Sequence, residues 1–191
     1  MTASRSAEEF RFGLGHQALE FVATLAGRHR QPQERLVTTD DLERWLALSG
    51  LVSDVACTRK QLSEARELRE AIYRLLEAAR HGRRPIDEDI DLLNTWARRA
   101  RPAPQLDTSL RVRRRAPNQC TAALAEVAAS AVDLIGGPER QLVRECADPT
   151  CSLMFIDRSR PGRRRWCSME RCGNRAKTAR YRRQSRHIAF P

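Results

Sequence analysis

Four cysteines near the C-terminal end carry the chemistry most directly readable from this chain. Cys146-Ala-Asp-Pro-Thr-Cys151 and Cys167-Ser-Met-Glu-Arg-Cys172 are pairs of equal spacing, separated by fifteen residues. Matched pairs of this kind suit one zinc ion in tetrahedral thiolate coordination. Each pair bends so that two sulfurs converge, and the connection returns the second pair to the first. A disulfide framework would suit a secreted chain, and unrelated buried thiols would not fall into two matched pairs. Cys57 and Cys120 lie outside the pattern and are read as buried or incidental thiols.

Short elements must position those sulfurs. Leu153-Met154-Phe155-Ile156 is an apolar, strand-like run. Pro161-Gly162 suits a type II turn, so that Arg163-Arg164-Arg165-Trp166 returns beside the first run to complete a hairpin. Ser168 can cap a helix from Met169 to about Arg186, a stretch rich in Ala and Arg. That places Cys167 at the helix start and Cys172 one turn in, where the helix N-terminus and nearby arginines favour the thiolate that zinc needs.

Charge singles out the same segment. Residues 144–191 hold 12 Arg and one Lys against four acidic residues, a net +9, whereas residues 1–143 carry only +2. A zinc tetrathiolate is itself a dianion, and the surplus of positive charge remains. A compact, strongly basic surface on a metal-held scaffold is the electrostatic footprint of a nucleic-acid binder. The candidate DNA-contacting residues are Arg163, Arg164 and Arg165 of the connection, and Arg171, Asn174, Arg175, Lys177, Arg180, Arg182 and Arg183 of the helix. The first three suit phosphates. Arg175 suits guanine and Asn174 adenine; equally, Asn174 can bond the zinc-loop backbone and Arg175 can screen the thiolates.

Cys172-Gly173-Asn174-Arg175, with Cys146-x4-Cys151, Trp166-Cys167-Ser168-Met169 and Phe155-Ile156-Asp157-Arg158-Ser159-Arg160, resembles the CGNR zinc finger family. In that family the finger follows an ABATE domain, and the resemblance implies a bacterial, stress-related transcription regulator. Leu19-Glu20-Phe21-Val22-Ala23-Thr24 is similar to the opening motif of ABATE, with Ala23 where the family usually has Asn. The Trp45-Leu46 pair before Gly50-Leu51 is similar to its second helix.

The N-terminal part reads as mainly α. Residues 1–10 are a polar start, and Gln17–Ala26 a first helix closed by Gly27. Gln31-Pro32-Gln33 is a linker, and Thr38 to Gly50 a second helix in which Trp45 is core. The longest helix runs from Thr58 to Arg80, a fourth starts near Asp87, and a fifth spans Asn118 to Ile135. Between the last two, Gln105-Leu106-Asp107 and Leu110-Arg111-Val112-Arg113 alternate as two short strands, either a solvated edge or a second basic patch. The fold class is therefore mainly α: a helical ABATE-like domain with a small β-hairpin over residues 1–137, then a small treble-clef-like four-cysteine zinc finger, hairpin plus helix, over 138–191.

No nucleophile–His set, phosphate-binding loop or open zinc position is recognisable, so an enzyme is not expected. The absence of a secretory leader or apolar span points to the cytoplasm and the nucleoid, away from membranes. The expected protein is a DNA-binding transcription regulator with one structural zinc, whose helical domain senses an effector or forms a homodimer. The rivals are an RNA- or ribosome-associated zinc protein and a zinc-thiolate redox sensor acting on a protein partner.

Overall fold

The computed structural model describes residues 10–188, with side chains as far as Arg182. Of the polar start expected at residues 1–10, residues 1–9 lie outside the described residues, as does the side chain of Arg183, whereas Phe10 is buried in the core. Helix α1 covers Gln17–Val22, α2 Thr39–Leu48, α3 Arg59–His81, α4 Asp87–Ala97 and α5 Gln119–Gly136. Three two-stranded antiparallel sheets join them: β1 (Leu25–Ala26) with β2 (Gln33–Glu34), β3 (Ala103–Leu106) with β4 (Val112–Arg115), and β5 (Val143–Glu145) with β6 (Met154–Ile156). Helix α6, Asn174–Ile188, closes the chain.

The helices start where their side chains satisfy the free N–H groups of the first turn. Thr38 with Asp41, and Thr58 with Gln61, form reciprocal capping boxes. Asn118 caps α5 by accepting from the Thr121 amide at 2.9 Å. Gln61 also donates to Asn118 Oδ1 at 3.0 Å and Thr121 Oγ1 at 3.1 Å, so the starts of α3 and α5 are tied together. Gly82 ends α3 in the left-handed conformation, at φ +60°.

The core lies where α3, α4 and α5 pack on one another and on α1. The α3 stripe Leu62, Ala65, Leu68, Ile72 and Leu76 meets a run of small residues on α5, including Ala123, Ala128 and Ala131. Trp45 is fully buried against Phe21, with ring centroids 5.0 Å apart, so its expected packing role holds.

Several local expectations are corrected. The first helix stops at Val22, because Thr24 turns its hydroxyl onto the Phe21 carbonyl at 2.7 Å and the chain enters the β1–β2 hairpin. Gly27, at φ +66°, sits in that hairpin's turn and is not a helix cap; Gln31-Pro32-Gln33 is part of the return and not a free linker. The partner of Met154–Ile156 is Val143–Glu145, not the stretch from Arg163 to Trp166. Asp157 explains the difference: its carboxylate takes the Ser159 amide at 3.0 Å and the Arg164 amide at 2.9 Å, which ends β6 and folds residues 157–164 into a loop. Within it the hydrogen-bonded turn runs from the Ser159 carbonyl to the Gly162 amide, one residue earlier than a type II turn centred on Pro161-Gly162.

The C-terminal segment also contributes to the core. Val143, Leu153, Met154, Phe155 and Ile156 belong to the same apolar cluster as Leu14, Phe21 and Leu76. The Ile156 amide donates to the Leu14 carbonyl at 2.8 Å, Arg158 to the Gly15 carbonyl at 3.0 Å, and the Arg28 amide to Ser152 at 3.0 Å.

Arg69 is the most buried cation among the described residues, at 2% exposure. It forks onto both Glu34 oxygens at 2.7 Å and reaches Glu70 at 2.8 Å and Thr24 at 3.2 Å. Burial alone would raise the Glu34 carboxyl, but the Arg69 guanidinium outweighs it and the group ends below the usual range; Glu70 follows the same pattern with Arg28 as its main partner. Both carboxylates therefore stabilise the fold above their unfolded-state pKa and lose that contribution as pH falls through the lower folded value. Arg69→Ala should cost about 3 kcal/mol at neutral pH in urea titrations, because it strands partly buried carboxylates. The deficit should shrink below pH ~4 as those groups become protonated.

Candidate metal centre

The site begins with a knuckle. After β5, residues 146–151 turn back into β6, and three amides point at the sulfurs. Those of Asp148 and Cys167 donate to Cys146, and that of Leu153 to Cys151. Asp148 is the keystone of the turn. It is buried at 6% exposure and accepts from the Thr150 amide at 2.9 Å, the Thr150 hydroxyl at 2.7 Å and Arg175 Nε at 2.9 Å.

The second pair is delivered by a different device. The Ala147 amide donates to the Arg165 carbonyl at 2.8 Å, which clips the incoming chain to the knuckle. The Arg164 guanidinium donates to the Trp166 carbonyl at 2.9 Å and to the Cys167 carbonyl, and lies 4.6 Å above the Phe155 ring. Cys172 then sits on a wide turn, Met169–Gly173, wound with a hydrogen bond from the Gly173 amide to the Ser168 carbonyl. That differs from the regular helical start expected after Ser168, whose side chain makes no capping bond. A Cβ on Gly173 would lie 2.9 Å from the Met169 sulfur and 3.4 Å from the Trp166 ring. A side chain at this position would have to displace the exposed Met169 side chain.

The four sulfurs all lie within 4.8 Å of one another. Cys151 and Cys167 are 3.8 Å apart, Cys167 and Cys172 3.6 Å. A tetrahedron with zinc–sulfur bonds of about 2.3 Å has edges of about 3.8 Å, so the spacing fits one zinc ion. A disulfide needs about 2.05 Å, and all six cysteines are free. Without a cation the sulfurs cannot ionise together. Hydrogen bonds from the Cys151 and Cys167 thiols hold Cys146 down at about 2, while the same contact pushes Cys151 up to about 12 and Cys167 higher still. A dication removes that conflict.

The proposed DNA-contacting residues divide into two groups. Arg175 bridges Asp148 and, at 3.1 Å, the Cys172 sulfur; Asn174 donates to the Glu170 carbonyl at 3.0 Å. Both therefore support the metal loop, as does Arg164. Arg163, Arg165, Arg171, Lys177, Arg180 and Arg182 are exposed. Arg165, Arg171, Lys177, Arg180 and Arg182, with Arg175, line a groove of about 1430 Å3 between α6 and the knuckle. A second cleft, of about 830 Å3, lies between the finger and the β1–β2 region, with Arg11, Arg30, Arg35 and Arg171 in its wall. Ala23 is buried in the core and is not among the residues of that cleft.

Sequence reading missed Asp148 and Asp157. Each begins an Asp-x-Ser/Thr unit whose carboxylate takes both the amide and the hydroxyl two residues on. The repeat, Asp148-Pro-Thr150 and Asp157-Arg-Ser159, was the available signal. The structure also brings Cys57 against Cys120, where that contact and burial push the Cys57 thiol up.

Two family models match the chain. ABATE, described as "Putative stress-induced transcription regulator", covers residues 15–138. The CGNR zinc finger covers residues 143–185. No curated protein matches it.

Cys151→Ser should remove zinc at one equivalent per chain and unfold the finger, read by metal analysis and near-UV circular dichroism. Asp148→Ala leaves all four sulfurs but frees Arg175 and the knuckle. It should weaken zinc binding about 10–100-fold in competition with a chromogenic chelator.

Proposed function

The chain belongs to the ABATE family, and from that premise we propose that it is a transcription regulator which binds duplex DNA through its CGNR zinc finger. The carrying observation is the groove beside α6, rimmed by five arginines and a lysine. Of its two acids, Asp148 is already matched by Arg175, which leaves Glu170 against the remaining cations. Zinc acts structurally here. Four thiolates leave no coordination position for water, so the site holds the scaffold and does no hydrolysis.

On this reading Arg164, Asn174 and Arg175 hold the finger together. Phosphate contacts fall to Arg163, Arg165, Arg171, Lys177, Arg180 and Arg182, whose side chains face solvent. An effector would sit in the second cleft, touching both the β1–β2 region and the Cys167–Cys172 turn. Occupation there would bear directly on the finger's position. Among the described residues no helix is long and apolar enough to cross a membrane.

The test is fluorescence anisotropy of the zinc-loaded chain with duplex DNA over a salt series, with structured RNA as competitor. Binding should weaken steeply with salt and disappear on chelation. Lys177→Ala with Arg180→Ala should lower the salt slope by about 0.9 for each phosphate no longer neutralised, without altering zinc content. Displacement by RNA at matched charge, or binding that survives chelation, would overturn the reading.

A further inference from the structure

The β3–β4 hairpin stands away from the core, and all eight of its strand residues are exposed. Leu106, Leu110 and Val112 are 67%, 80% and 66% exposed. An isolated two-stranded hairpin is marginal in water. This one is held by Asp107, whose carboxylate accepts the Ser109 and Arg111 amides at 2.9 Å each and Arg113 Nε at 3.0 Å. The arm is thus shaped locally, without help from the body.

Its tip is unusual. The Leu110 amide closes a turn on the Asp107 carbonyl at 3.0 Å, and the Asp107 amide pairs with the Arg111 carbonyl at 2.9 Å. A hairpin loop of this kind needs a left-handed residue at its end, ordinarily glycine. Leu110 fills that position at φ +58°, the only left-handed non-glycine among the described residues. It presents a branched apolar side chain to solvent, although glycine would satisfy the backbone without strain. Neither packing nor the turn accounts for leucine.

Charge narrows what the arm meets. Arg111, Arg113, Arg114 and Arg115 lie on the returning side, and only Arg113 has an ion-pair partner among the described residues. The register puts Arg113 and Arg115 on one face, with Arg114 beside Pro104, Leu106 and Val112 on the other. Pairing with a second copy is disfavoured at both edges. Pro104 removes a donor from β3, and β4 against β4 would set arginine beside arginine.

We propose that the β3–β4 hairpin is a second DNA-contacting arm that enters the minor groove, with Leu110 as an apolar wedge between base steps and Arg111, Arg114 and Arg115 on the flanking phosphates. Apolar wedges partly unstack a step and bend the duplex, and arginine suits the negative potential of a narrow minor groove. The arm rests on the reading of the chain as a DNA binder and adds distortion to the finger's anchoring.

The experiment uses the full, zinc-loaded chain and a duplex labelled at both ends for energy transfer, in three forms: wild type, Leu110→Gly, and Arg111→Ala with Arg115→Ala. Wild type should bend the duplex, within the roughly 20–90° range of wedge proteins. Leu110→Gly should bind but lose the bend, with a melting temperature equal to or above wild type because the left-handed position is relieved. The arginine double variant should show a salt slope shallower by about 1–2. If wild type binds and all three forms bend the duplex alike, or none bends it, the arm is not a wedge. If the variants change only the oligomeric state, the arm belongs to a contact between copies. If wild type binds no DNA, the DNA-binding reading itself fails, and the arm with it.

Discussion

Four sulfurs within 4.8 Å cannot all carry charge unless a cation sits among them. The C-terminal quarter is arranged around that constraint. The knuckle amides point at Cys146 and Cys151, Arg164 fixes the carbonyls ahead of the second pair, and Arg175 ties Cys172 back to Asp148. The direction in which α6 leaves the site follows from Cys172, so the placement of Lys177, Arg180 and Arg182 on that helix depends on the same cluster.

The arginines do two kinds of work, which tempers a simple reading of the net charge of +11. Arg28, Arg69 and Arg74 are matched to Glu70, Glu34 and Asp89 inside the helical part. Arg158 joins Glu139 to the Gly15 carbonyl across the junction with the finger. Those cations are neutralised at short range and contribute little to a distant field. The exposed set around α6 and on the β3–β4 arm is what a polyanion would feel.

Much of this was legible from the chain. The cysteine spacing identified the metal site because two matched pairs have few other uses. The helices were legible because their apolar stripes and caps agree, as at Thr58 with Gln61. Sequence patterns were weakest where one side chain overrides a local trend. Thr24 ended α1 early, and Asp157 redirected the chain so that β6 paired with residues preceding the first cysteine. Whether Asn174 and Arg175 face the metal loop or solvent was also beyond sequence, since either suits the same composition; Asp148 decides it for Arg175 and the Glu170 carbonyl for Asn174.

The shared apolar cluster has a consequence for how the chain is made. Synthesis proceeds from the N-terminus, so the helices emerge while Phe155 and Ile156, which complete their core, are still unmade. The helical part keeps an uncovered apolar surface until β6 arrives, and β6 lies between the two cysteine pairs that form the metal site. The same late stretch of chain thus both closes the core and builds the metal site.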